Sequence, residues 1–91
     1  MSNVARHVRV TGRVQGVFFR GWTAEQARRL GVCGWVRNAA DGSVEAHLEG
    51  EQWSVQQLID LLRQGPPAAR VADLKVEEAE TARADRFEVR H

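Results

Sequence analysis

The sequence predicts an α+β fold: a mainly antiparallel sheet with two helices packed on one face. Three observations predict it. Several short segments alternate apolar and polar residues with a period of two, as strands with one buried face do. Two others repeat apolar residues at helical spacing. Their order along the chain is strand–helix–strand–strand–helix–strand, with a small extra strand at the end. Alternation on one side only favours an antiparallel or mixed sheet covered on one face over a parallel sheet covered on both.

The first strand sets Val8, Val10, Gly12 and Val14 on one face and His7, Arg9, Thr11 and Arg13 on the other. Gln15-Gly16 interrupts it, and a helix is expected to begin near Gly21 or Trp22. Phe19, Thr23, Ala27 and Leu30 keep helical spacing, and Gly31 suits the left-handed residue that follows a helix. Val32–Arg37 reads as the second strand. Ala40-Asp41-Gly42-Ser43 supplies a hairpin turn in which a glycine can take positive φ. The third strand alternates Val44, Ala46 and Leu48 against Glu45, His47 and Glu49.

Val55, Leu58, Ile59 and Leu62 stand at i, i+3, i+4 and i+7, the clearest helical stripe in the chain. Gly65-Pro66-Pro67 ends it, because proline has no amide hydrogen to continue the ladder. A fourth strand places Ala72, Leu74 and Val76 opposite Asp73, Lys75 and Glu77. Glu78 to Asp85 is polar and reads as a loop before Phe87 and Val89 close the chain as a short strand. This βαββαβ order is that of the ferredoxin-like two-layer sandwich. No repeat, linker or low-complexity tract breaks the 91 residues, so 1–91 reads as a single domain.

Composition narrows the function classes. With 43% hydrophobic and 27% charged residues the chain has the material for a packed core. Thirteen basic residues stand against twelve acidic ones, which argues against a nucleic-acid partner gripped by excess positive charge. Lys75 is the only lysine, and arginine, the dominant cation, can bind phosphate bidentately where it is well placed. Cys33 is the only cysteine, so no intrachain disulfide forms, as suits a reducing compartment. The start shows no signal-peptide pattern, and no apolar run approaches the roughly 20 residues that span a bilayer. The expected location is cytoplasmic, with no membrane partner.

Two segments could carry chemistry. Gly12-Arg13-Val14-Gln15-Gly16-Val17-Phe18-Phe19-Arg20 joins a strand to a helix. Successive amides in such a turn can converge on an anion, and a helix N-terminus adds partial positive charge. Gly16 lets the backbone approach a phosphate, and Arg20 supplies a permanent planar fork. The plain alternative is an ordinary turn followed by an exposed arginine. In the second segment, Gly34 to Val44, Asn38 stands where a strand enters its hairpin. Its amide can orient a water by donating and accepting at once, or it can simply cap the turn.

Taken together, Gly-x-Val-Gln-Gly-Val-x-Phe-Arg at Gly12–Arg20 and Gly-Trp-Val-Arg-Asn-x-x-x-Gly-x-Val-x-x-x-x-x-Gly at Gly34–Gly50 resemble the two signatures of the acylphosphatases. The resemblance covers essentially the whole chain and agrees with the ferredoxin-like order. It implies a hydrolase that splits the carboxyl–phosphate bond of a small acyl phosphate, with neither cofactor nor metal. Backbone amides of Gln15, Gly16, Val17, Phe18 and Phe19 would cradle the phosphate, Arg20 would bind its oxygens and Asn38 would position the attacking water. Ala39 departs from those family members that carry a hydroxyl residue there. The alternative is a non-catalytic module that binds acyl or carbamoyl phosphate.

Other residues give weaker signals. Cys33 lacks a neighbouring base and reads as buried filler. His7 and His47 fall on polar strand faces, are expected to face solvent, and do not make a metal site with the remote His91. Trp22 and Trp35 are expected to pack, and Trp53 to be partly exposed. Phe18 and Phe19 could suggest base stacking. However, the third strand lacks the basic-Gly-aromatic signature of RNA-binding domains of this topology. A small domain with polar faces is expected to be a monomer.

Overall fold

A computed structural model describes residues 3–91; Met1 and Ser2, the first two residues of the expected single domain 1–91, lie outside the described residues. The chain runs β1 (Asn3–Arg13), α1 (Phe19–Leu30), β2 (Cys33–Asn38), β3 (Val44–Glu51), α2 (Gln52–Gln64), β4 (Arg70–Glu78) and β5 (Phe87–Arg90). The sheet order is β4-β1-β3-β2-β5. β1 pairs antiparallel with β3 and β4, β2 antiparallel with β3, and β5 joins parallel to β2. This is the α+β ferredoxin-like sandwich, extended by one short strand.

The core lies between the inner face of the sheet and the two helices. Val8, Val10, Val36, Val44, Ala46 and Leu48 from the strands meet Phe19, Ala24 and Ala27 of α1 and Val55, Leu58, Ile59 and Leu62 of α2. The stripe expected on the second helix is thus the buried one. Each such side chain contributes about 1.5–3 kcal/mol by leaving water. α1 ends as expected: Gly31 is left-handed at φ 74°, and Val32 N–H donates to Ala27 O at 2.8 Å. Gly65 follows α2, whose start is capped by the Glu51 carboxylate accepting from Ser54 N–H.

Several expectations need correction. α1 begins at Phe19, two residues before Gly21, because left-handed Phe18 turns the chain directly into the helix. β1 does not keep strict alternation. Register slips between Thr11 and Gly12, so Ala72 of β4 is left over as a bulge and Gly12 is exposed rather than inward. A side chain at Gly12, whose φ is 119°, would meet the backbone of Arg70 and Ala72. β4 is consequently only half in pattern, with Leu74 packed against the core and Ala72 and Val76 exposed. Cys33 is half-buried, not fully enclosed.

The largest correction concerns the outer face of the sheet. His47 does not face solvent; it is buried together with Glu45 and Glu49 on the central strand β3. Trp35 of β2 stacks on His47 at 6.2 Å between ring centres, and the guanidinium groups of Arg37 and Arg90 lie over Trp35. His7 is half-buried and within 3.3 Å of Glu45. The Glu45 carboxylate also accepts from Arg9 at 3.0 Å and from Arg37 at 3.3 Å. Burial alone would raise its pKa, but these cationic donors hold it below the usual carboxylate value. Period two therefore marked the second face correctly as polar, while long side chains from β1 and β2 close it off from water.

Gly34 shows how tightly β2 and β3 meet. Its φ is 133°, and a Cβ there would overlap the His47 carbonyl oxygen, a backbone atom that cannot step aside. Gly34→Ala is expected to destabilise the fold by roughly 3 kcal/mol through overpacking and backbone strain. Urea denaturation of the folded variant against the parent checks this; equal midpoints would show that the strands can separate without cost.

Candidate active site

The first signature folds into the loop between β1 and α1. Gly16 is left-handed at φ 74° and Phe18 at φ 63°, with Val17 between them not sharing that sign. Alternating handedness turns neighbouring backbone N–H groups towards one side, the geometry of an anion-binding nest. A Cβ on Gly16 would meet nothing, so space there is not what selects glycine; the left-handed backbone is.

The loop delivers the chain into α1, whose start is bare. Phe18 makes no side-chain capping bond, and the first turn has no acidic residue. Trp22 N–H donates to Phe18 O at 3.0 Å, which leaves the preceding amides of the first turn outside the helical ladder. Unfilled donors and the positive end of the helix dipole together favour an anion. Bulky residues in the left-handed region cost about 1–2 kcal/mol, and Gly21 inside the helix about 1 kcal/mol more. Such local costs gather where a site demands them.

Arg20 extends from the first turn of α1. Its Nη1 donates to Arg90 O at 2.9 Å and lies 3.2 Å from His91 Nδ1. Among the described residues, its Nε and Nη2 have no protein partner, so one edge of the fork is anchored and the other is open.

Asn38 ends β2, and its side chain is exposed with no hydrogen-bond partner among the described residues. The capping role that an asparagine could have taken here belongs to Asp41. Its carboxylate accepts from Ser43 N–H at 2.9 Å and Ser43 Oγ at 2.6 Å, while Arg9 holds its other oxygen at 3.0 Å. Those bonds from Ser43 keep the Asp41 carboxyl below its ordinary pKa. The hairpin is built without spending the Asn38 amide.

Gln15 links the two signatures through its side chain. Its Nε2 donates to Ala39 O at 2.8 Å and Ser43 O at 2.9 Å, so one amide clamps the hairpin beside Asn38 to the loop before α1. The sequence reading gave Gln15 only a backbone amide; this clamp is an addition. One cleft of about 260 Å³ is lined by Gly16, Phe18, Phe19, Arg20 and Asn38. Arg20 and Asn38, 18 positions apart in the chain, therefore open onto one space.

The same cleft is walled by Val89 and His91, which sequence reasoning missed. Phe87 and Val89 alternate plainly enough for a strand, but nothing local reveals that it pairs parallel with β2 and so ends beside Arg20. A larger pocket of about 900 Å³ lies at the opposite end of the sheet, between the start of β1, the end of β3 and the loop before β5. It contains none of the signature residues of the loop before α1. Among the described residues no three His, Cys, Asp or Glu side chains gather as a metal site.

Fold and site together define a ferredoxin-like sandwich with an anion-ready loop and helix start at one end of its sheet. The Acylphosphatase family model matches residues 6–89. An acylphosphatase of Acidovorax sp. (strain JS42) is 52% identical over 89 residues, covering 98% of this chain and 92% of that one. One of Rhizobium meliloti (strain 1021) is 56% identical over 77 residues, covering 85% and 81%. The solved structure of an acylphosphatase from Coxiella burnetii superposes with a TM-score of 0.93 at 40% identity, covering 97% of this chain and 93% of that one. The chain belongs to the acylphosphatase family, and its activity is hydrolysis of the carboxyl–phosphate bond of acyl phosphates to carboxylate and inorganic phosphate.

Proposed function

We propose that the loop Gln15–Phe19 binds the transferring phosphoryl group through its backbone amides, that Arg20 binds its oxygens and that Asn38 orients the attacking water. The observation that carries this reading is the convergence of an uncapped helix start, an open guanidinium edge and an unpaired amide side chain on one cleft. The chemistry needs little more. An acyl phosphate already has a good leaving group, a carboxylate, so no strong acid is required to expel it. Phosphoryl transfer through a loose transition state asks the protein mainly to position groups and to stabilise charge.

Asn38 cannot act as a base near neutral pH; it holds the water by accepting one hydrogen bond and donating another. The water's proton passes to a phosphate oxygen of the substrate as the oxygen–phosphorus bond forms and the carboxylate departs. Asn38→Ala should therefore cut kcat by about 100-fold, as loss of one positioned polar group does in related sites, with inorganic phosphate still inhibiting. Steady-state hydrolysis of benzoyl phosphate measures it, and an unchanged kcat would remove Asn38 from the mechanism.

The proposal extends to the setting: 1–91 as one cytoplasmic, monomeric, metal- and cofactor-free catalytic domain acting on a small molecule, without nucleic-acid or membrane partners. Its support is the near balance of charge, the single unpaired cysteine and a site assembled wholly from this chain's own groups. Hydrolysis of benzoyl phosphate with a chelator present tests the metal independence, and sedimentation of the purified protein tests the monomer.

A further inference from the structure

One edge of the cleft is unused by the phosphate chemistry. Phe18 is 67% exposed although it is large, apolar and left-handed. The handedness serves the amide loop, but it would be met most easily by glycine or asparagine. It does not call for an aromatic ring. The ring rests on the first turn of α1 at Gly21, where a Cβ would collide with its edge. A glycine inside a helix and a bulky left-handed residue thus meet at one point, and their joint result is a phenyl ring held at the mouth of the cleft. Half-buried Val89 lines the same cleft.

The space is larger than the phosphoryl group alone requires. At about 30 Å³ for each water, a cleft of about 260 Å³ corresponds to roughly nine, and a phosphoryl group with its attacking water leaves part of it over. In an in-line displacement the acyl carboxylate departs on the side opposite the water. Its organic portion must then project from the loop past residues other than those that grip phosphate. Resting on the proposed reading of the site, we infer that the Phe18 ring, seated over Gly21 in the cleft that Val89 also lines, receives the acyl group. It favours acyl phosphates with an aromatic or branched apolar group over those with a small one.

The contact exists in bound substrate as well as in the transition state, so it acts mainly on KM. An apolar contact of this size discriminates by about tenfold or more. The test compares kcat/KM for benzoyl phosphate and acetyl phosphate in the parent, Phe18→Ala, Phe18→Leu and Gly21→Ala. The ratio of the two should fall about tenfold in Phe18→Ala and less in Phe18→Leu. Gly21→Ala, which displaces the ring without removing it, should lower the ratio as well. A ratio unchanged in both Phe18→Ala and Gly21→Ala overturns the assignment. So does an equal loss on both substrates, which would reduce Phe18 to its backbone. Arg20→Ala measured alongside separates the two levels: if it abolishes hydrolysis while the ratio stays flat, only the acyl contact falls. If it leaves hydrolysis intact, the phosphate reading falls and the acyl contact with it.

Discussion

Arg20→Ala should reduce kcat/KM for benzoyl phosphate by about 1,000-fold or more, the scale on which a single arginine stabilises phosphoryl transfer. Loss of inhibition by inorganic phosphate should accompany it, since in the proposed site the same group would hold the ground-state anion. Arg20→Lys is expected to recover only part of the loss. Lysine restores the charge but neither the planar fork nor the anchored edge that Arg90 O fixes at 2.9 Å. The substitution lies on the half-exposed start of α1, so thermal unfolding should move little. Turnover within tenfold of the parent would mean that the amide loop carries the phosphate without this side chain.

The second large effect concerns stability. Glu49 is buried on the outer face of the sheet and gathers the loop before β5. Its carboxylate accepts from Thr81 Oγ1 at 2.7 Å, Ala82 N–H at 2.6 Å, Ala84 N–H at 3.4 Å and His47 Nε2 at 2.5 Å. Burial by itself would raise the Glu49 pKa. The bonds from Thr81, Ala82, His47 and Ala84 outweigh it and bring it down to about 2. Glu49→Ala should destabilise the fold by about 3 kcal/mol, because it leaves buried His47 without its partner and cuts the charged bonds that tie Thr81, Ala82 and Ala84 to β3. Glu49→Gln should cost less, keeping the shape while losing charge.

The pH dependence follows from the direction of that shift. A carboxylate whose folded pKa lies below its unfolded value stabilises the fold fully above the unfolded value. That contribution fades as pH falls from the ordinary glutamate range towards about 2. Acid unfolding of the parent should therefore be steep in that window and shallower in Glu49→Gln. Identical acid transitions would show that the carboxylate is held no more tightly folded than unfolded.

Local signals carried the fold and singled out the residues proposed for the site. Period two, the i, i+3, i+4, i+7 stripe and Gly31 each express a short-range rule, and they gave the elements and their order, though not the start of α1 or the bulge opposite Gly12. Gln15-Gly16 and Asn38 stood out because glycine and asparagine at element ends answer to backbone sterics and turn chemistry. What stayed hidden was non-local. Nothing near Gln15 says that its amide crosses to Ala39 and Ser43, and nothing near Glu49 announces the amides of Ala82 and Ala84. The burial of His47 was misjudged for the same reason. Alternation reports which face a residue takes, whereas cover on that face comes from Trp35 and the arginines of neighbouring strands. Val89 and His91 were missed because β5 reaches the cleft only through its parallel pairing with β2.

The two outer strands of the sheet have a bearing on the molecule's company. A strand with an unpaired rim is a template on which another polypeptide can continue the ladder. β5 offers only four residues, Phe87–Arg90, to such an intruder. β4 is longer, but Arg70, Asp73, Lys75, Glu77 and Glu78 stud it with both signs of charge, and the bulge at Ala72 kinks its line near the start. Brevity guards one rim, and charge with a kink guards the other. Both devices make it harder for a further strand to extend this sheet at either side.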